Sequence, residues 1–378
     1  MSRYRLLPTP TQEAVLRSHC AHARYIWNLA VEQHRHWRPG RKGAPGYLEQ
    51  CRQLTEARAA HGWLAAGSQT VQQQALRDFS QAMAAFFDRH NPADRPSWRK
   101  AGRNEGFRIV GRRGHKWDVR WSRPVPPGVK SYRVTMDRAG RWHVAFAAIP
   151  KPLTAPGNGQ IVGVDRGVAV SAALSTGELL RVPHPGTHEH KRVLRLQRRL
   201  ARAKRGSNRR RRVRLTLARL KARQADRRKD WAEKISTDLA RRFDLIRVED
   251  LDVKSMTRSA RGTPQEPGRN VRQKAGLNRS IRASGWGGLV RRMYDKAPGR
   301  VEKIRPAFTS QRCSVCGHVA AESRKSQALF ACVACNFTLN ADVNAARNIA
   351  AGHAVTARGG DGVTRPRNRE PQLLLPPV

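Results

Sequence analysis

Apolar positions recur every three to four residues from Thr11 to Trp37, with Leu16, Cys20, Ala23, Trp27 and Ala30 on one stripe. That spacing predicts an amphipathic helix, entered from a short strand over residues 3–8 that Pro8 stops. A polar connection, RPGRKGAPG, follows, and then Val71, Ala75, Phe79, Met83 and Phe86 share one face of a second helix from Gln69 to Phe87. The first hundred residues thus read as mostly helical.

From residue 106 to 150 the period changes from helical to alternating. FRIV, WDVRW (117–121), YRVTM and WHVAFAAI are short strand-type runs separated by Gly, Pro and the turn DRAG, as in a small antiparallel sheet or barrel. KPLTAPGNGQ (151–160) is a linker by its Pro and Gly content. Beyond it, IVGVDRGVAVSAAL, the turn STGE and LLRV predict three strands. Residues 188–229 are helical, with apolar seams Val193, Leu196, Leu200 and Val213, Leu217, Leu220 on either side of RGSN (205–208), the apex of a hairpin whose second helix Ser207 or Asn208 can cap. Helix WAEKISTDLARRF leads into strand DLIRVED, a step suited to a crossover connection. Residues 252–280 are basic, contain Gly and Pro, and are expected to be mobile. SGWGGLVRRMYDKA resumes helix, VEKIRPAF supplies a strand or two, a last helix runs from about Ala341 to Ala351, and the tail has little reason to fold.

Charge turns this pattern towards a partner. The 378 residues, enough for two or three structural units, carry 74 Lys and Arg against 28 Asp and Glu, a net +46. Self-repulsion of that size calls for a polyanion, most simply nucleic acid. No apolar run approaches the ~20 residues that span a bilayer, and MSRYRLLPTPTQEAV has no signal-type apolar region, so the expected location is cytoplasmic, on the nucleoid when DNA is bound. Between Lys191 and Lys229 nineteen Lys or Arg face one acid, Asp226. A solvated face of one sign at that density would repel itself, so the hairpin is expected to contact phosphates through Lys191, Arg195, Arg198, Arg199, Arg202, Arg209, Arg210, Arg211 and Arg212.

Six cysteines occur. Cys20 lies on the apolar stripe and reads as a small buried thiol, while Cys51 has no partner in sequence. Cys313, Cys316, Cys332 and Cys335 form two CxxC pairs with fifteen residues between them, the spacing of one closed tetrahedral zinc site with a structural role. His318 is a conceivable substitute ligand, but four thiolates already fill the shell.

Three acids break the pattern around them. Asp165 sits inside the apolar run IVGVDRGVAV, where a buried carboxylate must be paired, protonated or metal-bound, and Arg166 beside it is one candidate partner. Glu249 ends the strand LIRVE, with Asp250 as a competitor for any role, and Asp342 opens the last helix, where the helix dipole alone favours an acid. Each has an ordinary explanation. Together, two strand carboxylates and one helix carboxylate at one edge of a mixed sheet would make an oxygen-only pocket for paired Mg²⁺ ions, which activate water and stabilise the leaving oxygen in phosphodiester attack. Ala345, Ala346 and Ile349 would let that helix approach the sheet closely.

GVDRG (163–167), VEDL (248–251), TSQRCSVCG (309–317), CVAC (332–335) and NADVNAARNI (340–349), in this order, resemble the TnpB (OrfB) proteins of insertion sequences, relatives of the type V CRISPR nucleases. QRRLARAKRGSNRRRR, NRSIRASGWGGL and AAGHAVTARGG are also similar to that family, so the likeness covers about residues 1–360. It implies a multidomain α/β plus β chain. A wedge-type β-barrel domain (1–10 and 100–152) would carry a helical recognition insert (11–99). An RNase H-like (RuvC) nuclease domain (158–307 and 338–357), including the basic hairpin 188–229, would hold a zinc-ribbon insert (308–337) that binds target nucleic acid, with 358–378 a disordered tail. It implies Asp165, Glu249 and Asp342 as the Mg²⁺-binding catalytic acids, Cys313, Cys316, Cys332 and Cys335 as zinc ligands, and a guide RNA from the transposon end. Arg166 stands where the family more often has an apolar residue, and its side chain is expected to face away from the metals. The segment 258–278 is longer than the family pattern.

The function that follows is an RNA-guided DNA endonuclease, in which base pairing reads double-stranded target DNA and protein contacts read a short adjacent motif, with one protein copy per RNA. An RNA-guided repressor that binds without cutting is the alternative; loss of one of the three acids would favour it, and none is lost. A generic RNA-binding zinc-ribbon protein leaves the acids without a purpose. A transposase acting alone lacks a Tyr nucleophile beside paired histidines, since none of the five tyrosines lies near such a pair. The short step from Cys335 to Asp342 suggests that the zinc-braced insert positions nucleic acid over the acids.

Overall fold

The computed structural model describes residues 2–36, 43–90, 93–110, 124, 125, 129, 131–147 and 151–352. The strand-type run 117–121, residues 353–357 of the expected nuclease segment and the tail 358–378 lie outside them. The described residues fall into two compact units, those up to 153 together with 183–234, and 154–182 together with those from 235 onward.

In the first unit, strand β1 (Ser2–Arg5) leads into helix α1 (Pro10–Arg35). Thr9 and Gln12 close a capping box at its start and Pro10 presets the first turn. The predicted stripe is the buried one: Leu16, Cys20, Ala23, Trp27 and Ala30 all face inward. Helices α2 (Tyr47–Ala60) and α3 (Gly62–Ala65) follow the connection RPGRKGAPG, in a stretch to which the sequence pattern assigns no element of its own. α2 buries little beyond Gln50 and Leu54, too few positions to mark a period in the sequence. Helix α4 (Gln69–Phe87), capped by the Ser68 hydroxyl, buries Val71, Ala75 and Phe79 against α1.

Strands β2 (Gly106–Val110), β3 (Ser131–Met136) and β4 (Trp142–Phe146) join β1 in an antiparallel sheet of order β1-β4-β3-β2. Phe107, Ile109, Tyr132, Val134, Trp142 and Val144 alternate onto the buried face shared with α1 and α4.

The second unit is built on a mixed five-stranded sheet of order β7-β6-β5-β8-β9. Strand β5 (Ile161–Asp165) is central, with β6 (Ala172–Leu174) antiparallel to it and β7 (Leu179–Leu180) continuing that hairpin. After helices α5 (Thr187–Arg202) and α6 (Asn208–Arg242), strand β8 (Leu245–Glu249) returns parallel to β5, as a crossover requires. The unit boundary falls within α6, and the basic hairpin, assigned above to the nuclease segment, is grouped with the first unit, where Arg141 of that unit pairs with Asp226 at 2.6 Å.

Residues 252–280, expected to be mobile, contain the short helix α7 (Val253–Met256) and the start of α8 (Val271–Ala283). Asn278 donates from Nδ2 to the carbonyls of Thr257 and Arg258 and so ties α8 back to the preceding turn. Helix α9 (Trp286–Lys296) leads to β9 (Val301–Ile304), parallel to β8. A small hairpin of β10 (Leu329–Ala331) and β11 (Thr338–Asn340) precedes helix α10 (Ala341–Ala351), whose bounds match the sequence reading.

Helix α10 lies on β5. Its inner face is Ala341, Val343, Ala345, Ala346 and Ile349, all buried. The close approach depends on Gly163, where a Cβ would sit 1.9 Å from the Ala346 carbonyl oxygen and 2.4 Å from the Ala350 nitrogen.

Candidate metal centres and nucleic-acid surface

Strand register brings the first two acids together. Val164 pairs with Val248 on the parallel β5–β8 ladder, so Asp165 and Glu249 occupy the next step at the carboxyl ends of neighbouring strands. Asp342 is the second residue of α10, the helix packed on β5. Burial and the adjacent Glu249 and Asp342 carboxylates push the Asp165 carboxyl well above its usual range; Arg324 and the Arg166 backbone N–H act the other way. Burial also raises Asp342, opposed by Arg324, whose guanidinium stands 3.5 Å from Oδ1.

Asp165, with Glu249 and Asp342 disfavouring its ionisation, makes with them a hard, oxygen-only donor set, and a divalent cation would remove that penalty. Their placement is looser than that of the thiols: the four cysteines are the one group of His, Cys, Asp or Glu among the described residues whose ligand atoms all lie within 4.8 Å of each other.

The neighbours divide the acids by role. Glu249 is buried, and the Thr309 hydroxyl donates to its Oε1 at 2.9 Å. Asp250 turns towards solvent and pairs with Lys303 at 2.9 Å. Arg166 is 8 % exposed and donates from Nη2 to the backbone carbonyl of Glu249, holding the end of β8. It lines a cavity of about 350 Å³ with Asp250, Val253, Tyr294 and Lys303.

Both CxxC pairs fold into the same turn. The Gly317 N–H donates to the Cys313 carbonyl and the Asn336 N–H to that of Cys332, at 3.0 Å each, with φ of 75° at Gly317 and 57° at Asn336. Gly and Asn tolerate this left-handed region, which explains CG and CN after the second cysteine of each pair. Sulfur–sulfur distances are 3.8 Å for Cys313–Cys335 and 3.6 Å for Cys316–Cys332. A tetrahedron with Zn–S bonds of about 2.3 Å has edges of about 3.8 Å, so the four thiols can hold a metal ion and zinc fits them. Phe330 and Ala341 pack behind Cys313 and Cys332.

On the basic hairpin the seam is as read: Leu196, Val213, Leu217 and Leu220 form a buried cluster with Val193 and Leu200 against it. Lys191, Arg195, Arg198, Arg199, Arg202, Arg209, Arg211 and Arg212 are exposed. Arg210 differs. It is half-buried and donates to the carbonyls of Leu200 and Ala203, satisfying the C-terminus of α5.

Four polar residues at the acid edge carried no assignment from sequence: Thr309, Arg324, Asn344 and Asn348. Thr309 lies in TSQRCSVCG, and Asn344 and Asn348 lie one helical turn apart in NADVNAARNI, so periodicity could have paired the asparagines. Nothing in the loop around Arg324 indicates that it reaches Asp342.

Comparison with known proteins shows the family to which the chain belongs. The family model OrfB_IS605, described as "Probable transposase", matches residues 143–260; a Cas12f1-like TNB domain model matches residues 286–349; and a helix-turn-helix model of the same OrfB group matches residues 2–42. The chain is 35% identical to the "Putative RNA-guided DNA endonuclease InsQ" of Escherichia coli (strain K12), over 99% of this chain and 97% of that one. A protein of Streptomyces pristinaespiralis with the same description, without the name InsQ, is 30% identical over 96% of this chain and 91% of its own length. The CRISPR-associated endodeoxyribonuclease Cas12f1 of Sulfoacidibacillus thermotolerans shares 54% identity over 56 residues, 15% of this chain and 13% of that one. A cryo-EM structure of a Cas12f1–sgRNA–target DNA complex aligns over 92% of this chain and 98% of its own at 16% identity, with a TM-score of 0.31.

Proposed function

Because the chain belongs to the TnpB (OrfB) family, related to Cas12f, we propose that it is an RNA-guided DNA endonuclease whose hydrolytic site is formed by Asp165, Glu249 and Asp342. The observation that carries this reading is the meeting of these three acids at one sheet edge, with Glu249 and Asp342 both opposing ionisation of Asp165. The strand order β7-β6-β5-β8-β9, with β6 antiparallel to its central neighbour, supports an RNase H-like (RuvC) domain. The four strands around β4 support a wedge-type domain carrying the helices α1 to α4 as its recognition insert.

The carboxylates of Asp165, Glu249 and Asp342 would hold two Mg²⁺ ions, which supply an activated water and stabilise the leaving oxygen of a phosphodiester. Thr309 fixes one oxygen of Glu249, and Arg166 holds the backbone from which Glu249 projects. Arg324 sets a positive charge beside Asp342, where it can meet the phosphate of a strand entering the site. The four cysteines carry one structural zinc, and the CxxC turns lie directly before α10 in the chain, so the metal knuckle braces the approach to Asp342. Cleavage by one such site takes the two strands in turn and leaves 5′-phosphate and 3′-hydroxyl ends.

The guide RNA comes from the transposon end, and base pairing supplies the sequence reading, so the protein's net +46 serves backbone phosphates and a short duplex motif beside the target. Purifying the chain from cells that carry its insertion sequence and sequencing the bound nucleic acid tests this. A discrete RNA that spans the transposon end is expected, and a heterogeneous pool of cellular RNA would contradict it.

A further inference from the structure

Segment 309–314 is fastened to α10 by side-chain amides at four points. Asn348 Nδ2 donates to the carbonyls of Thr309 at 2.9 Å and Arg312 at 2.8 Å, and Asn344 Nδ2 donates to Arg312 at 2.7 Å. Asn344 Oδ1 accepts from the Ser314 N–H at 3.0 Å. Cys313 lies between the last two of these residues, and Asp342 lies two positions before Asn344 on the same helix. All three polar side chains are buried, with Thr309 at 2 %, Asn344 at 0 % and Asn348 at 4 % exposure.

Bonds made by buried side chains hold a single arrangement, because a buried amide that loses its partner is costly to leave unsatisfied. The segment so fixed presents one further group. The Thr309 hydroxyl has one proton to give, and two acceptors stand near it: Glu249 Oε1 at 2.9 Å and the Pro306 carbonyl at 3.2 Å. A carboxylate is the stronger acceptor and the closer one, so the proton goes to Glu249.

We infer that Thr309 is a positioning residue for Glu249: through Asn348 it locks the strand carboxylate of β8 to the helix that carries Asp342, so that the two acids keep one spacing. This rests on the reading of the acids as a divalent-cation site. Without the hydroxyl, Glu249 Oε1 loses this donor, and the donor set for the cation is less well preorganised. Outer partners of metal-binding carboxylates are worth about 10–100-fold in metal affinity.

The test is Mn²⁺ binding to the full chain, followed by electron paramagnetic resonance, in wild type, Thr309→Val, Thr309→Ser, Thr309→Ala and Asp165→Ala. Binding that disappears in Asp165→Ala is expected in the wild type. Thr309→Val is expected to weaken it at least about tenfold, and Thr309→Ser, which keeps the hydroxyl, to restore it. The zinc content is expected to be the same in all five proteins, since the four thiols are unchanged. If the valine variant fails to fold, serine against alanine decides: weaker binding in alanine alone supports the inference, and equal binding in both overturns it. Equal binding by wild type and Thr309→Val overturns the positioning role and leaves the acid site standing. Mn²⁺ binding that persists in Asp165→Ala, or none in the wild type, overturns the acid-site reading and the role of Thr309 with it.

Discussion

At the scale of single residues, the sequence exposes what violates its surroundings. Asp165 and Glu249 are conspicuous because a largely apolar strand gains nothing from a carboxylate, and the fold places both at one edge. Thr309 and Arg324 give no such signal: a threonine before a cysteine pair and an arginine in a loop are ordinary until folding brings them to Glu249 and Asp342. Gly163 is similar, since a glycine in a strand reads as a weak point, whereas here it is the contact surface for α10. Gly163→Ala would press a methyl group into the helix backbone, and overpacking of this kind costs about 1–3 kcal/mol or more. Chemical denaturation is expected to show that loss. The same variant is expected to lose Mn²⁺ affinity, because Asp342 rides on the displaced helix.

At the scale of elements, the helices with a continuous apolar stripe were legible and those without one were not. The long stripe of α1 and the face of α4 predict their own burial. α2 buries only Gln50 and Leu54, and α8 only Asn278 and Ile281, so neither imposes a period, and the basic, Gly- and Pro-containing approach to α8 reads as loop. The hairpin of α5 and α6 shows both sides of this limit. Its seam follows from Leu and Val spacing, but its arginines look alike in sequence while Arg209 is exposed and Arg210 caps α5. Arg209→Gln is expected to reduce the slope of log affinity for RNA against log salt by about one, without changing the melting temperature. Arg210→Gln is expected to lower the melting temperature, leaving carbonyls at the end of α5 unsatisfied, with a smaller effect on the slope. Salt titrations and thermal melts of the two variants separate these roles.

At the scale of the whole molecule, composition and motif order say more than any single element. A net charge of +46 calls for a polyanion, two CxxC pairs can hold a metal, and three out-of-place acids suit a cation, in a chain that belongs to the TnpB (OrfB) family. Sequence cannot supply the geometry that joins them, because the CxxC segment reaches the acids through Thr309, Asn344 and Asn348, whose contacts exist only in the folded chain. The most direct measurement of the central claim is cleavage of matched double-stranded DNA by the guide-RNA complex in Mg²⁺, with wild type beside Asp165→Ala, Glu249→Gln and Asp342→Ala. The wild type is expected to cut both strands, and each variant to lose cutting by orders of magnitude while binding RNA as the wild type does. Undiminished cutting by all three variants would contradict the account.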